Sequence, residues 1–404
     1  MKEQTKIQVA ILGLGYIGLP TAALIASKGI MVNGVDVNRH VIDTINKGKI
    51  HIVEPDLEGL VHLAVRKGVL IAGPKVKASD VFLVAVPTPF KKGHQPDLSY
   101  VEKATRMILP QLRPGNLFII ESTSPVGTTE KMARLIFRER PELKGKIHLA
   151  YCPERVLPGS VIYELQQNDR VIGGIDEAST EAAVRFYSRF VRGSLHKTNS
   201  RTAEMTKLVE NAYRDVNIAF ANELSVICEE ADINVNELIN LASKHPRVKI
   251  LQPGPGVGGH CIAVDPWFIV ADFPKQAKLI RLAREVNTGK TEWVQQKIQD
   301  TAASFQKKQG RPAVVACMGL AYKPDIDDLR ESPALEIYEH LEKHGITVMA
   351  VEPNIRKHSK LAITDTLRAV READILVFLV RHKEFVGLNT AGKTVLDFCG
   401  VVNH

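Results

Sequence analysis

Cysteine is scarce in this sequence, and the few cysteines form no recognisable pattern. Five are scattered over 404 residues, and no two of them stand within a CxxC pair. An odd, dispersed set argues against a disulfide framework and against a structural zinc site, both of which need closely spaced cysteines. Reduced thiols are typical of the cytoplasm, where we expect this protein to reside, and we expect no metal site.

Aromatic residues and long apolar runs are also few. Aromatic side chains make up 6% of the chain, and no block of Lys and Arg is interleaved with them. The net charge of +8 favours anionic partners, but this composition argues against a dedicated nucleic-acid module and leaves nucleotide phosphates as candidates. No apolar run approaches the roughly 18 residues that span a bilayer. No apolar signal region precedes the first predicted strand, so we expect no membrane partner.

Short apolar runs alternate with helical patterns in two parts of the chain. The predicted strands are residues 7–12, 31–35, 81–86, 118–120, 147–150 and 171–172, and later 313–319, 347–351, 375–380 and 394–396. Such alternation indicates parallel, doubly wound sheets. Between them, apolar residues recur at helical spacing from 201 to 231, which predicts one long helix. We therefore predict two Rossmann-like α/β domains joined by a long central helix and a small helical domain.

A glycine-rich turn follows the first predicted strand. Gly13, Gly15 and Gly18 form the pattern GxGxxG, in which the glycines permit a tight turn, a close approach to pyrophosphate and close helix packing. Asp36 ends the next strand, where a carboxylate holds a ribose 2′-hydroxyl, so the pattern favours NAD over NADP. Arg39 nearby weakens that preference. The alternative is a turn kept for packing, with Asp36 as an ordinary helix cap.

Two further segments follow the carboxyl ends of predicted strands, where ligands of open α/β sheets bind. Pro87 and Thr88 follow one strand, and Thr123 follows another, so we expect all three beside the cofactor. Turn formation and helix capping would explain the same residue types.

A cysteine in a second glycine-rich segment is a candidate nucleophile. Cys261 follows Gly258 and Gly259, and Asp265 comes four residues later. Attack on carbon needs the thiolate, which backbone N–H groups of a glycine turn could favour. From composition alone, a buried structural thiol is the more common alternative.

Several ordered motifs together carry a resemblance to a known family. They are GLGYIGLP at residues 13–20, PTP at 87–89, EST at 121–123, PER at 153–155, KLVEN at 207–211, NE at 222–223, GGHC at 258–261 and KPD at 323–325. With these motifs the chain resembles the UDP-glucose/GDP-mannose dehydrogenase family over nearly its whole length. The resemblance implies an NAD-binding domain over residues 1–198, a central helical dimerisation domain over 199–300, and a UDP-sugar-binding domain over 301–404.

The family reaction oxidises a sugar C6 hydroxyl to a carboxylate with two NAD, through a cysteine thiohemiacetal and a thioester. The resemblance implies these catalytic residues: Cys261, Lys207, Asn211, Asp265, Glu154 and Thr123. It implies these cofactor-binding residues: Gly13, Gly15, Tyr16, Ile17, Gly18, Asp36, Arg39, Pro87, Thr88, Thr123 and Arg330. It implies these substrate-binding residues: Glu154, Arg155, Val156, Lys207, Asn211, Arg247, Gly258, His260, Lys323 and Arg381. Arg247 is expected to reach the substrate of the neighbouring subunit in a homodimer.

Within the family, His260 and the segment VDPWF at 264–268 resemble the branch that acts on UDP-N-acetylhexosamines. Pro158 stands where glucose-type members carry a glutamate, which leaves room for a bulkier 2-substituent. UDP-N-acetyl-D-mannosamine is the expected substrate, with UDP-N-acetylglucosamine, UDP-glucose and GDP-mannose as alternatives. A two-electron hydroxyacid dehydrogenase and a non-catalytic nucleotide-binding regulator also remain open.

One departure from the family pattern lies near the end of the chain. Many members carry an arginine in an Asp-x-Arg motif that contacts the nucleotide, whereas this chain has Cys399 two residues after Asp397. Arg381, which follows a predicted strand, could make that contact instead.

Overall fold

The computed structural model describes residues 7–402 except for 53, 92, 157–158, 260 and 357. The chain divides into two compact units, Met1–Glu210 and Asn211–His404. The predicted three-part division, with boundaries at 198/199 and 300/301, stays a prediction.

The first unit is built on an eight-stranded sheet with the strand order β10-β9-β8-β7-β4-β1-β2-β3. Its strands, with a small separate hairpin of β5 and β6, are β1 (Gln8–Leu12), β2 (Met31–Val35), β3 (Leu70–Gly73), β4 (Val81–Val84), β5 (Phe90–Lys91), β6 (Gln95–Pro96), β7 (Leu117–Ile120), β8 (His148–Tyr151), β9 (Arg170–Gly174) and β10 (Leu195–Asn199). Its helices are α1 (Gly18–Ser27), α2 (Arg39–Asn46), α3 (Leu57–Arg66), α4 (Ser99–Ile108), α5 (Thr128–Glu139), α6 (Val161–Gln167) and α7 (Glu177–Tyr187).

The central strands are almost entirely apolar because both faces of the sheet are covered; in β1 the exposed first residue, Gln8, is the exception. In β1, Val9 and Ile11 belong to one buried apolar cluster, while Ala10 and Leu12 belong to a second cluster on the opposite face. Successive side chains of a strand point to opposite faces, so an unbroken apolar run is needed where helices cover both. This confirms the predicted doubly wound arrangement.

The sheet changes winding direction between β1 and β4. From β1 the chain proceeds outward through β2 and β3, and it then returns to place β4 on the other side of β1 and continues to β7 and β8. The carboxyl ends of β1 and β4 therefore lie side by side at the switch point, where open α/β sheets bind ligands.

One neighbouring pair departs from the parallel arrangement that we predicted. β9 runs antiparallel to β8, whereas β10 runs parallel to β9. The connection between β8 and β9 includes the seven-residue α6. An antiparallel neighbour begins at the end where the previous strand finished, so β9 starts beside this connection.

A buried carboxylate fixes the start of α5. Glu204 is fully buried, and its side chain accepts hydrogen bonds from the backbone N–H groups of Gly127 (2.5 Å) and Thr129 (2.7 Å) and from the Thr129 hydroxyl. The first N–H groups of a helix lack partners within it, so this carboxylate acts as a long-range cap.

The helical part of the chain contains two long helices. These helices and their shorter neighbours are α8 (Ser200–Glu230), α9 (Val235–Ala242), α10 (Asp265–Asp272) and α11 (Lys278–Gln309). The helix predicted over 201–231 is confirmed as α8. The 32-residue α11 is followed by Gly310, which lies in the left-handed region with a φ of 68°.

Buried polar side chains join α8 and α11 in the second unit. Asp215 is fully buried and accepts hydrogen bonds from Arg284 Nη1 at 2.6 Å and Asn287 Nδ2 at 2.8 Å. Asn287 also accepts a hydrogen bond from Asn222, whose side-chain oxygen accepts one from the Gly254 N–H. Most polar groups of this network thus replace water with a protein partner, although Asp215 Oδ2 and Arg284 Nε are buried without one.

The second unit also contains a four-stranded, entirely parallel sheet with the order β12-β11-β13-β14. Its elements are β11 (Val314–Met318), α12 (Pro333–Lys343), β12 (Thr347–Val351), α13 (Thr366–Glu372), β13 (Ile375–Phe378) and β14 (Thr394–Asp397). All four strands lie where the sequence predicts them. Over the described part of the chain, we find no helix with the length and apolar character to cross a membrane.

Candidate active site

The three glycines of the first turn have different surroundings. Gly13 has a φ of +90°, and a Cβ there would lie 2.5 Å from the Ala85 carbonyl oxygen. A Cβ on Gly18 would lie 1.8 Å from the Gly13 carbonyl oxygen, whereas a Cβ on Gly15 would meet nothing within 4 Å. The first and third glycines are therefore needed for packing. The second leaves open space at the start of α1, and this space fits a pyrophosphate.

Asp36 organises the turn that follows β2. One carboxylate oxygen accepts a hydrogen bond from the Leu14 N–H at 2.9 Å, and the other accepts one from the Asn38 N–H at 2.8 Å. Asp36 therefore links the glycine turn to the start of α2. Arg39 is exposed and forms an ion pair with Asp43 at 3.2 Å. The Asp36 carboxylate suits a ribose hydroxyl better than a phosphate.

The loops after β4 and β7 are tied together. The Thr88 hydroxyl donates a hydrogen bond to the Thr123 carbonyl oxygen at 2.7 Å, and the Ser122 hydroxyl donates one to the Val86 carbonyl oxygen at 2.7 Å. Pro87 is exposed between these contacts. The predicted cofactor-binding segments are thus brought together at the carboxyl edge of the large sheet.

Glu154 is held in place by donors on both of its oxygens. Its side chain is 6% exposed. Oε1 accepts a hydrogen bond from the Arg155 N–H at 2.6 Å, and Oε2 accepts one from Arg170 Nη2 at 3.2 Å. The Arg155 side chain in turn pairs with Glu210 at 2.7 Å. Val156, the next predicted contact, is half-buried. Arg170 is absent from the residues predicted for the site.

Further buried groups surround Arg170. Its guanidinium lies 5.4 Å from the centre of the Tyr187 ring, and the Tyr187 hydroxyl donates a hydrogen bond to Glu121 Oε1 at 2.6 Å. Burial raises the pKa of Glu121 to about 7, with Arg170 opposing the shift. Burial likewise raises the pKa of the Cys152 thiol to about 12. Arg170 is the cation of this cluster. Burial raises the pKa of the neighbouring Glu121, Cys152 and Tyr187, which favours their neutral forms.

Of the five cysteines, Cys261 is the exposed one. Burial raises the pKa of both Cys152 and Cys317 to about 12, and it also raises the pKa of Cys228. Burial raises the pKa of Cys399 well above its usual range. A nucleophilic thiol must reach its substrate and ionise, so these four positions are poorly suited to that role.

Cys261 lies four residues before α10 begins. Its carbonyl oxygen accepts a hydrogen bond from the Asp265 N–H at 2.8 Å, and Pro266 occupies the first turn of the helix. The buried Asp265 accepts a hydrogen bond from Asn211 Nδ2 at 2.5 Å. Two predicted catalytic residues, which are 54 positions apart, are therefore in direct contact.

The glycine turn before Cys261 packs against the loop that follows β11. A Cβ on Gly258 would lie 2.4 Å from the Glu331 carbonyl oxygen, and a Cβ on Gly259 would lie 2.9 Å from the Tyr322 ring. Only glycine permits this approach. The same loop carries two other predicted contacts, Lys323 and Arg330. His260 and Pro158, on which other predictions rest, lie outside the described residues.

The remaining predicted cations are on the surface. Lys323, Arg247 and Arg381 are exposed, and Arg330 is paired with Asp328 at 2.6 Å. Lys207 is half-buried on α8.

The segment that departs from the family pattern, from Asp397 to Cys399, forms a hydrogen-bonded loop. The Asp397 carboxylate accepts hydrogen bonds from the N–H groups of Cys399, Gly400 and Val402, so it is committed to its own loop. The pKa of Cys399 is raised by burial and by Asp397, and the positive charge of Arg381 opposes this rise. Arg381 therefore acts electrostatically on the position where relatives carry an arginine.

Among the described residues, Asp325, His382 and Glu384 form one group of potential metal ligands. The buried His382 already uses both ring nitrogens. Nδ1 lies 3.0 Å from the Asp325 N–H, and Nε2 lies 3.1 Å from the buried Glu352 carboxylate. The imidazole thereby ties the loop after β11 to the residues after β13.

Comparisons with known proteins place these features in a family. The three domain models of one family match in order: the NAD binding domain over residues 7–191, the central domain over 201–289, and the UDP binding domain over 316–404. The chain belongs to the UDP-glucose/GDP-mannose dehydrogenase family.

Relatives in this family match over nearly the full length. The chain is 54% identical to UDP-N-acetyl-D-mannosamine dehydrogenase of Escherichia coli (strain K12), covering 97% of this chain and 98% of that protein. It is 51% identical to NDP-N-acetyl-D-galactosaminuronic acid dehydrogenase of Ralstonia nicotianae, covering 97% and 96%. A solved structure of UDP-N-acetyl-mannosamine dehydrogenase from S. aureus has a TM-score of 0.88 and 41% identity, covering 98% and 96%.

These comparisons confirm the predicted family, the fold class and NAD as the cofactor. This member of the UDP-glucose/GDP-mannose dehydrogenase family is an NAD-dependent nucleotide-sugar dehydrogenase. The NAD binding domain contains the turn in which Gly15 leaves space for a pyrophosphate. The UDP binding domain contains Lys323 and Arg381.

Proposed function

We propose that this chain oxidises the C6 hydroxyl of UDP-N-acetyl-D-mannosamine to a carboxylate, using two NAD and one water. The observation that carries the chemistry is an exposed cysteine whose carbonyl oxygen accepts a hydrogen bond from the N–H of an aspartate, which is itself hydrogen-bonded to an asparagine. The choice of sugar is supported by the names of relatives with 52–54% identity.

Lys207, Asn211 and Asp265 serve the first oxidation. Lys207 and Asn211 are four residues apart on α8, so their side chains lie on the same face of the helix. Both can donate to the C6 oxygen as negative charge develops on it, and one such donor contributes about 3 kcal/mol. Asp265 accepts the proton of the C6 hydroxyl, through Lys207 or a water. When bound, NAD accepts a hydride in each oxidation.

Cys261 serves the second oxidation. Its thiolate attacks the aldehyde carbon, a C–S bond forms, and the carbonyl oxygen takes up a proton to give a thiohemiacetal. Loss of a hydride and of that proton leaves a thioester. The covalent bond retains the aldehyde between the two oxidations and divides a difficult reaction into easier steps.

Glu154 and Thr123 serve hydrolysis of the thioester. A water forms the new C–O bond, the C–S bond breaks, and the Cys261 sulfur leaves as a thiolate. Glu154 positions this water, and Thr123 assists. Both oxygens of Glu154 accept hydrogen bonds from neighbouring donors, so its carboxylate has a defined orientation.

The remaining site residues bind the two nucleotides. Lys323 contacts the UDP phosphates, Arg381 contacts the nucleotide where relatives use another arginine, and Arg330 contacts the cofactor. Arg155, Val156 and Gly258 line the sugar, and the same role predicted for His260 falls on a residue outside the described part of the chain. Arg381→Ala is expected to weaken UDP-sugar binding more than NAD binding; equal weakening, or none, would remove that assignment.

We further propose a homodimer formed through α8. Four large apolar side chains of this helix are exposed, namely Val209, Tyr213, Phe220 and Ile227, which are 43–73% accessible. An exposed apolar row on a long helix is typical of a subunit interface. Arg247 would then reach the substrate of the partner subunit. The enzyme would act in the cytoplasm and supply a uronate for surface polysaccharide synthesis.

A substrate panel with product counting tests the proposal. Purified protein is mixed with NAD and, separately, with UDP-N-acetyl-D-mannosamine, UDP-N-acetylglucosamine, UDP-N-acetylgalactosamine, UDP-glucose and GDP-mannose. The proposal expects two NADH per UDP-N-acetyl-D-mannosamine consumed, with little from the others. Preference for another sugar would overturn the substrate and keep the chemistry. One NADH per sugar, or a normal rate of uronate formation by Cys261→Ser, would rule out the thioester route and favour a two-electron dehydrogenase.

A further inference from the structure

A buried arginine contacts the glutamate that we place at the hydrolytic step. The Arg170 side chain is 4% exposed, and that of its partner Glu154 is 6% exposed. Their charged atoms are 3.2 Å apart. A buried ion pair costs free energy of desolvation on both sides, and removal of one partner leaves the other charge buried without compensation. Such a pair contributes little net stability, so stability alone does not explain why these two residues are buried together.

The fold brings Arg170 to Glu154 through the antiparallel strand. Arg170 is the first residue of β9, and β9 starts at the carboxyl end of β8. Glu154 lies three residues after β8 ends at Tyr151. A parallel β9 would begin at the opposite end of the sheet, so the reversal is what places the guanidinium beside the carboxylate.

The guanidinium is itself held on several sides. One nitrogen, Nη1, lies 3.9 Å from Cys152 Sγ. The guanidinium carbon lies over the Tyr187 ring, 5.4 Å from the centre of that ring. The Tyr187 ring is fixed by its hydrogen bond to Glu121. Glu154 therefore accepts a hydrogen bond from the guanidinium of Arg170 on one oxygen and from the Arg155 N–H on the other. These two donors hold the carboxylate in a single orientation.

We propose that Arg170 is a positioning residue for hydrolysis: it orients Glu154 toward the water that attacks the Cys261 thioester. This inference rests on the proposed function. The water oxygen bonds to the thioester carbon, the C–S bond breaks, and the sulfur leaves as a thiolate. The attacking water loses one proton and the new carboxylic acid loses another. One of these protons neutralises the Cys261 thiolate, and the other goes to solvent. Arg170 touches none of the reacting atoms and acts through Glu154.

Three substitutions and a matched control test the inference. Arg170→Lys keeps the charge but has a single ammonium in place of the fork, and Arg170→Met removes the charge. Glu154→Gln gives the reference behaviour for a defect in hydrolysis. Arg185→Met on α7 is the control, because Arg185 is an exposed arginine of the same unit. Melting temperature and NAD affinity are measured for each protein first.

The decisive readout is the species that accumulates during turnover. Each protein is mixed with NAD and UDP-N-acetyl-D-mannosamine, quenched in acid, and weighed intact by mass spectrometry, while NADH is followed by stopped flow. We expect Arg170→Lys to lower the steady-state rate about 10- to 100-fold, as small displacements of a positioned group do. We also expect it to keep a rapid burst of two NADH per subunit and to accumulate the covalent thioester on Cys261. Arg185→Met should behave as wild type.

The other outcomes separate the two proposals. If Glu154→Gln accumulates the adduct and the folded Arg170→Lys does not, Arg170 has no positioning role and the proposed function stands. If both Arg170 variants melt earlier and lose the burst together with the steady-state rate, the residue is structural and the inference is wrong. If no variant forms an adduct and wild type yields one NADH per sugar, the thioester route itself fails.

Discussion

Replacing Glu121 by Gln should stabilise the protein above neutral pH and remove part of its pH dependence. Burial raises the pKa of Glu121 from 4.5 to about 7 in the folded chain. Between these pH values the folded chain binds a proton that the unfolded chain has released. The free energy of unfolding therefore falls as the pH rises through this window, and it is level above the folded pKa. A difference of about 2.5 pH units corresponds to roughly 3 kcal/mol.

Glutamine imitates the protonated carboxyl group and keeps the oxygen that accepts the Tyr187 hydroxyl. At pH 8 we expect Glu121→Gln to be more stable than wild type by up to roughly 3 kcal/mol, and at pH 5 to lie within about 1 kcal/mol of it. Urea unfolding followed by circular dichroism at pH 5, 6, 7 and 8 measures this difference. Titrating groups that the two proteins share contribute equally to both unfolding free energies and therefore drop out of the difference. The exposed Glu58→Gln is the control. Parallel stability curves for Glu121→Gln and wild type would refute the reasoning.

Three further predictions concern the glycine turn and two buried charged groups. Gly15→Ala should leave the melting temperature unchanged but raise the NAD dissociation constant, measured by isothermal titration, at least about tenfold. Gly18→Ala should lower the melting temperature and also weaken NAD binding, because its Cβ would meet a carbonyl oxygen. Glu204→Ala should cost about 2 to 4 kcal/mol in urea unfolding by leaving three donors without their acceptor, and a cost below about 0.5 kcal/mol would contradict the capping role. Arg284→Met should destabilise by about 3 to 5 kcal/mol because Asp215 stays buried without its cation, and Arg284→Met with Asp215→Asn should recover much of that loss in the same assay.

The fold could be predicted well wherever a strand is covered on both faces. Such strands must be apolar throughout, and β1, β4, β7 and β13 appear in the sequence as short apolar runs. The direction of β9 could not be predicted in this way, because its apolar residues satisfy either direction equally.

Candidate site residues could be named from the sequence where they lie in local motifs, and less so where their place depends on contacts across the fold; their roles stay a prediction. The sequence motifs pointed to Asp265 and Asn211, and the structure brings them into contact. Arg170 was missed because the prediction stopped at the apolar residues 171–172. A charged residue at the edge of a buried strand was the available signal, but its partner Glu154 could not be inferred without knowing the direction of β9.

The contrast among the five sulfur atoms also bears on how this enzyme could be inhibited or labelled. Four thiols are withheld from reagents by burial or by a high pKa, and the fifth, Cys261, is exposed. A mild electrophile in neutral buffer would meet one accessible thiol on each chain. Covalent fragments, fluorophores or spin labels could be attached there without engineering a cysteine-free background. The same single point of attack exposes the enzyme to oxidants.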